Sequence, residues 1–292
     1  MMERRLEITY YQHSGFTCAM DDVLLVFDYW RGEEPNVLPE EAGLKEETLR
    51  AYRQVVVFVS HSHPDHLDEV IWSWQRLGNV TYVVSYELPP ACTGLRMRPG
   101  DALQLSEKLA VRAYDSTDLG ISFVVELGGF TIFHAGDLNL WHWREESTLK
   151  EIEKAEEDFH RVCASMTREK IDVAFFPVDP RQGRLYDAGA NYFMLCLKPR
   201  LMIPMHFWNR TEVAVEFAKR SRCHQTECVA MTRPGQKLLL ELAEDGFMTI
   251  HVLAAPKPMP EQSPEGINRV SLAGYEGEDP FINTDLPVKL DE

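Results

Sequence analysis

With 292 residues, 45% of them apolar, and 30 basic against 46 acidic side chains, the chain has enough core for a globular fold and carries a net charge of −16. That charge repels phosphate backbones and anionic surfaces, and no apolar run approaches the roughly 18 residues that span a bilayer, which argues against nucleic-acid and membrane partners. The six scattered cysteines form no Cys-x-x-Cys pair to suggest a zinc knuckle or a redox dithiol, the size and aliphatic content of the chain argue against a disulfide framework, and the thiols are expected to be reduced and mostly buried.

Met1 to Leu6 has no signal-peptide core, so a cytoplasmic location is expected. Leu6 to Gln12 and Val23 to Asp28 read as paired strands separated by a turn near Met20-Asp21-Asp22. Residues 31–50, rich in Gly, Pro and Glu, form a polar loop. The apolar run Gln54 to Ser60 is a strand of buried type that ends on His61-Ser62-His63-Pro64-Asp65-His66. In an extended segment side chains i and i+2 point the same way, so His61 and His63 can converge on one metal ion. Asp65 and His66, past the turn that Pro64 forces, are free to face a second. Such nitrogen and carboxylate donors suit zinc first, with manganese or iron as alternatives.

A helix from about Leu67 to Arg76 carries Val70, Ile71 and Trp74 at helical spacing. Strands follow at Thr81 to Ser85, Leu109 to Tyr114, Ile121 to Leu127 and Phe130 to His134, with Gly128-Gly129 as a hairpin turn. In His134-Ala135-Gly136-Asp137 the small residues let the chain turn sharply, so that Asp137 can point back over the sheet as a carboxylate between two metals. Asn139, Trp141, His142 and Trp143 come closely enough behind to wall a pocket, with His142 as a proton donor to a leaving group.

An amphipathic helix runs from Ser147 to about Lys170, its stripe formed by Leu149, Ile152, Ala155, Phe159, Val162 and Met166. After the strand Ile171 to Val178, Asp179, Arg181 and Tyr186 fall on the same active face, where Arg181 can clamp a carboxylate or phosphate. A helix near Ala188 to Leu197, the strand Leu201 to Met205 ending on His206, a helix near Glu212 to Arg222, and strands at Lys237 to Leu242 and Phe247 to Leu253 complete the domain, 1–255. Residues 256–292 are a Pro-rich acidic tail that cannot bury enough apolar surface to fold alone.

The pattern His-x-His-x-Asp-His after a strand, with an Asp and a His at later strand ends, resembles the metallo-β-lactamase superfamily from Leu6 to about Leu242. Gln12-His13-Ser14-Gly15-Phe16, Phe133-His134-Ala135-Gly136-Asp137 and Lys198-Pro199 through Met205-His206 look closest to its lactonase-like branch, which includes ascorbate-phosphate lactonase relatives. The resemblance implies an α+β fold, an αββα four-layer sandwich of two mixed sheets with helices on the outer faces. It also implies His61 and His63 on a first metal, Asp65, His66 and His206 on a second, and Asp137 bridging both. A third His that usually completes the first site is missing. The strand Val111-Arg112-Ala113-Tyr114 runs into Asp115-Ser116-Thr117-Asp118, so Asp115 or Asp118 is expected to take its place and to make the site richer in oxygen. His13 and His134 are expected to hold the ligands through hydrogen bonds.

Such a centre supports hydrolysis, since a metal lowers the pKa of its water toward about 7 and a metal-bound hydroxide can attack an ester, lactone or phosphodiester bond of a small molecule. Asn139, Trp141, Asp179 and Arg181 are the expected substrate contacts, in a protein that is a monomer or a homo-oligomer. Two other readings stand beside this one. The missing His favours a catalytically weak metal-binding or ligand-sensing protein, and a nuclease is disfavoured by the charge of −16.

Overall fold

The computed structural model describes residues 4–33, 37–143, 146–221 and 225–253; the tail expected at 256–292 lies outside the described residues. The chain begins with strands β1 (Arg4–Tyr10), β2 (Phe16–Met20) and β3 (Val23–Phe27). A short helix α1 (Glu46–Arg50) precedes β4 (Gln54–Val59), a 3-10 turn at Pro64–His66 and a 3-10 helix at Glu69–Leu77, and then come β5 (Val80–Ser85) and β6 (Leu95–Met97). Next are β7 (Ala102–Ser106), β8 (Leu109–Asp115), β9 (Ile121–Leu127) and β10 (Phe130–His134). Helix α2 (Leu149–Ser165), β11 (Val173–Pro177), α3 (Ala188–Leu197), β12 (Leu201–Met205), α4 (Thr211–Arg220) and β13 (Glu227–Cys228) continue to β14 (Lys237–Leu242) and β15 (Met248–Leu253).

Two mixed sheets result, as expected for the αββα sandwich: β15-β14-β1-β2-β3-β4-β5-β6 and β13-β12-β11-β10-β9-β8-β7. They meet through aromatic rings, Phe16 against Phe175 at 4.3 Å between centroids and Phe58 against Phe123 at 5.2 Å. The strands β3, β4 and β11 are apolar at nearly every position because both of their faces are covered. Leu25 and Phe27 face the other sheet, while Leu24 and Val26 join Ile71 and Trp74 in a separate outer cluster. On the far side Phe193 of α3 stacks on Phe133 at 4.9 Å. Helix α2 starts at a capping box, Thr148 with Glu151, where the amphipathic stripe predicts it.

One expected pairing is corrected. The strands β1 and β3 are not neighbours, because β2 lies between them and bonds to both. Phe16 to Met20 is a strand hidden by the polar turn before it, which closes through Tyr11 N–H to the Gly15 carbonyl (2.9 Å) and Gly15 N–H to the Gln12 carbonyl (2.6 Å). The short strands β6, β7 and β13 also escaped the hydrophobic pattern, since their side chains are largely exposed.

Strand direction positions the site. In the first sheet β3 runs parallel to β4, and two antiparallel steps through β2 set β1 the same way. In the second, β10, β11 and β12 are parallel, and two antiparallel steps through β9 align β8 with them. The loops after β1, β3 and β4, and those after β8, β10, β11 and β12, therefore gather at shared sheet ends, the usual place for a functional site. No helix among the described residues is long and apolar enough to cross a membrane.

Candidate metal centre

His61 sits at the end of β4 with its Nδ1 2.9 Å from the Ser60 hydroxyl, and that hydroxyl donates to Asp28 Oδ2 at 2.6 Å. Asp28, fully buried at the end of β3, also accepts from the Ser60 backbone N–H (2.8 Å) and lies 2.8 Å from His66 Nδ1. One buried carboxylate thus fixes both ends of the His61–His66 turn, whose middle is bent by Pro64 at the start of its 3-10 segment. Two glycines let the other sheet approach. A Cβ on Gly120 (φ 78°) would fall 2.6 Å from His61 Cβ, and one on Gly136 (φ 54°) would fall 2.8 Å from Ser60 Cβ.

Asp137 stands between four imidazoles and divides them by oxygen. Its Oδ2 is 3.2 Å from His61 Nε2 and 3.6 Å from His63 Nδ1. Its Oδ1 is 3.0 Å from His66 Nε2 and 3.2 Å from His206 Nε2. Asp65 Oδ2 lies 3.8 Å from His206 Nε2 and 3.1 Å from His13 Nε2. Two donors bound to one tetrahedral ion at about 2.1 Å stand about 3.4 Å apart, so this spacing suits a shared cation. His66 Nε2, His206 Nε2 and Asp137 Oδ1 are buried and have no hydrogen-bond partner among the described residues, which a divalent cation would satisfy.

The electrostatics point the same way. Burial would lower the pKa of His66, yet Asp137 and Asp28 raise it well above the usual imidazole value. His206 is pushed up to about 9 against its burial by Asp137 and Asp179, whose Oδ2 lies 2.9 Å from its Nδ1. Burial would raise the Asp137 carboxyl, but His66 and His206 hold it well below the usual range. The carboxylates therefore stabilise positive charge within the cluster, whether carried by protons or by a metal.

The remaining expected residues take diverse positions. Asp118 lines the cavity beside His63, Asp65 and Asp137, a space of about 370 Å³ also walled by Trp141, Trp143, Arg181 and Trp208. Asp115 does not line it; its carboxylate turns to Arg161 of α2 at 3.2 Å and is 43% exposed. His142, expected as the proton donor, faces Glu156 of α2 at 3.1 Å and lines the adjoining hollow with Gln182 and Leu185. The reason lies in the alternation of an extended segment. Trp141 and Trp143 stack in parallel at 5.8 Å, with the Trp141 N–H donated to the Asp137 carbonyl (2.9 Å), so the residue between them points away.

Asn139 and Asp179, expected at the substrate, are buried within the walls. The Asn139 amide donates to Gln182 at 3.0 Å, and Asp179 joins His206 to Arg181, whose Nε donates at 2.9 Å. Arg181 keeps a place in the cavity wall over the Trp208 ring at 4.9 Å. His134 places Nε2 2.9 Å from the Ser14 carbonyl and accepts from Gly136 N–H at 3.2 Å, tying the first turn to the Asp137 turn. Asp28, Ser60 and Trp208 were missed in the sequence. An acid directly after the apolar strand Val23–Phe27 was the available signal for Asp28.

A family model described as beta-lactamase superfamily domain matches residues 7–156. A UPF0173 metal-dependent hydrolase from Opitutus terrae is 26% identical over 242 residues, covering 74% of this chain and 92% of its own. A protein of the same description from Symbiobacterium thermophilum is 26% identical over 253 residues, covering 80% of this chain and 100% of its own. Among solved structures, Igni18, described as a novel metallo hydrolase from the archaeon Ignicoccus hospitalis, superimposes with a TM-score of 0.61 at 18% identity, over 82% of this chain and 100% of its own. CmlA from Streptomyces venezuelae, described as a diiron β-hydroxylase, does so with a TM-score of 0.53 at 12% identity, over 83% of this chain and 55% of its own. Both structural likenesses concern the fold alone.

Proposed function

Because the chain belongs to the metallo-β-lactamase superfamily, we propose that it is a metal-dependent hydrolase acting on an ester, lactone or phosphodiester bond of a small molecule. The observation that carries this reading is the division of the Asp137 carboxylate, one oxygen toward His61 and His63 and the other toward His66 and His206. His61, His63 and Asp137 would hold one divalent ion, with Asp118 in place of the absent histidine. Asp65, His66, His206 and the same Asp137 would hold the other. When bound, such ions lower the pKa of water toward about 7 and polarise the oxygen under attack. Zinc suits the nitrogen donors best, with manganese or iron favoured on the Asp118 side.

The chain's own groups do the rest. Asp28 and Asp179 sit behind His66 and His206 and fix which ring nitrogen faces the cluster, a contribution commonly comparable to part of the ligation itself. Trp141, Trp143 and Trp208 offer flat apolar walls that exclude water around a bound substrate. Arg181 brings a guanidinium to the cavity wall, and it suits a substrate or leaving group with negative charge. The five described cysteines are free, in keeping with a cytoplasmic enzyme.

A metal-binding protein with little turnover is the second reading, favoured by the absence, among the described residues, of a third histidine grouped with His61 and His63. A screen of protein loaded with zinc, manganese or iron against chromogenic esters, lactones and phosphodiesters separates the two. Turnover that disappears in Asp137→Ala supports the hydrolase. Turnover that is absent with every metal, or equal in the variant, rejects it.

A further inference from the structure

His13 was expected only to support the ligands, yet it occupies the position of a ligand itself. It lies in the turn after β1, 1% exposed, with φ at 52°, a left-handed conformation that costs a histidine energy and is kept where the surroundings impose it. The turn is closed by the hydrogen bonds of Tyr11 and Gly15, and the His13 carbonyl accepts the His206 backbone N–H at 3.4 Å, so the two histidines are tied together through their backbones. Their rings lie 4.1 Å apart between centroids. His66 is 5.7 Å away by the same measure.

The position of the ring nitrogens is the telling observation. His13 Nε2 approaches Asp65 Oδ2 to 3.1 Å without the alignment of a hydrogen bond, and it is buried without a partner among the described residues, as are His66 Nε2 and His206 Nε2. Ligand atoms of His13, Asp65, His66 and His206 all lie within 4.8 Å of one another. Donors on one ion at about 2.1 Å are separated by at most about 4.2 Å, so a small inward adjustment brings all four onto it.

We propose that His13 is a fourth terminal ligand of the second metal site, beside Asp65, His66 and His206. The inference rests on the reading of the cluster as a metal centre. The second site is then the nitrogen-rich half. His13 is also the weakest of the three imidazole donors there, because its Nδ1 has no partner among the described residues, whereas His66 and His206 have Asp28 and Asp179 behind theirs.

The test uses His13→Asn, since asparagine tolerates the left-handed backbone, with thermal melts to verify folding. Full-length protein and variant are titrated with Co²⁺, reading both affinity and the visible absorption bands, which report the donor set and coordination number. The proposal expects the variant to bind the tighter ion more weakly by more than the roughly 100-fold that losing a residue behind a ligand can cost, with altered bands. Unchanged bands at full occupancy overturn it, as does a variant that fails to fold with Co²⁺ present while His13→Gln, able to keep a hydrogen bond to Asp65, restores both fold and wild-type bands. Wild-type protein that takes up no Co²⁺ overturns the metal reading and this inference together. Altered bands in the variant, with no hydrolytic turnover by the wild-type protein, uphold His13 as a ligand and overturn only the hydrolase.

Discussion

The two halves of the cluster use the same kinds of donor and differ in their surroundings. On one side His66, His206 and His13 are buried, and carboxylates stand behind two of the three rings. On the other, His61 is buried but the side chain of His63 is 43% exposed, and the nearest acid to complete the set, Asp118, lies in the cavity wall. Burial and backing carboxylates raise the cost of leaving the donors empty, so the enclosed half should keep its ion and the open half should exchange it. A substrate can reach the centre through the cavity between Trp141, Trp143 and Arg181, which His63 lines from one half and Asp65 and His206 from the other. The two halves thus differ in burial, with Asp137 belonging to both and the cavity open to both.

Removing the shared group should erase the difference. Asp137→Ala is expected to weaken both binding steps by at least about 100-fold in calorimetric titration, beyond the loss typical of a residue behind a ligand. If one step survives at wild-type affinity, Asp137 does not serve both halves. Taking out the metal itself should show as lost stability. An ion present at 1,000 times its Kd contributes about 4 kcal/mol, so chelation should lower the melting temperature by about 10 °C for a domain of this size. An unchanged melt would mean that the enclosed half holds no ion.

Substitutions on one side should sharpen the contrast. His206→Ala is expected to abolish the tighter step and leave the weaker one nearly as it was. Asp118→Ala should do the reverse, with about a 10-fold loss at the weaker step, and Asp118→His should shift that step from Mn²⁺ toward Zn²⁺. Asp115→Ala is the control and should change neither, since its partner is Arg161 on the surface of α2. An effect at Asp115 equal to that at Asp118 would show that the loop rearranges around the ion.

Arg181→Ala should raise KM about 10-fold for an anionic substrate while leaving a neutral analogue within about 2-fold, the difference a charge-assisted hydrogen bond makes. Equal effects on both would place its role in holding Asp179. The smallest effect is expected from deleting residues 256–292. The last described strand, β15, ends at Leu253, so the truncated chain should melt cooperatively within a few degrees of the full one.

The amino-acid sequence was sufficient for what depends on short-range geometry. Strand alternation and the Pro64 turn are local, so the grouping of His61, His63, Asp65 and His66 at the end of β4 could be read without knowing what faces them. The apolar runs of β4, β11 and β12 likewise announce strands covered on both faces, and the family resemblance supplied the layers around them.

Where two loops from different sheets must meet, local rules say nothing. Asp115 and Asp118 are alike in chemistry, and only the presence of Arg161 on α2 draws the first away while the second stays at the cavity. His142 is buried away from the metal cavity beside the stacked Trp141 and Trp143, and its neighbour Glu156 comes from a helix whose register against the sheet no pattern specifies. His13, Asp28 and Asp179 lie far along the chain from the histidines they approach. Their roles follow from strand order and direction, which bring the ends of β1, β3 and β11 beside those of β4 and β12. The identity of the donors is carried by the chain, whereas their division into an enclosed half and an open one arises from burial, a property that exists only after the sheets have packed.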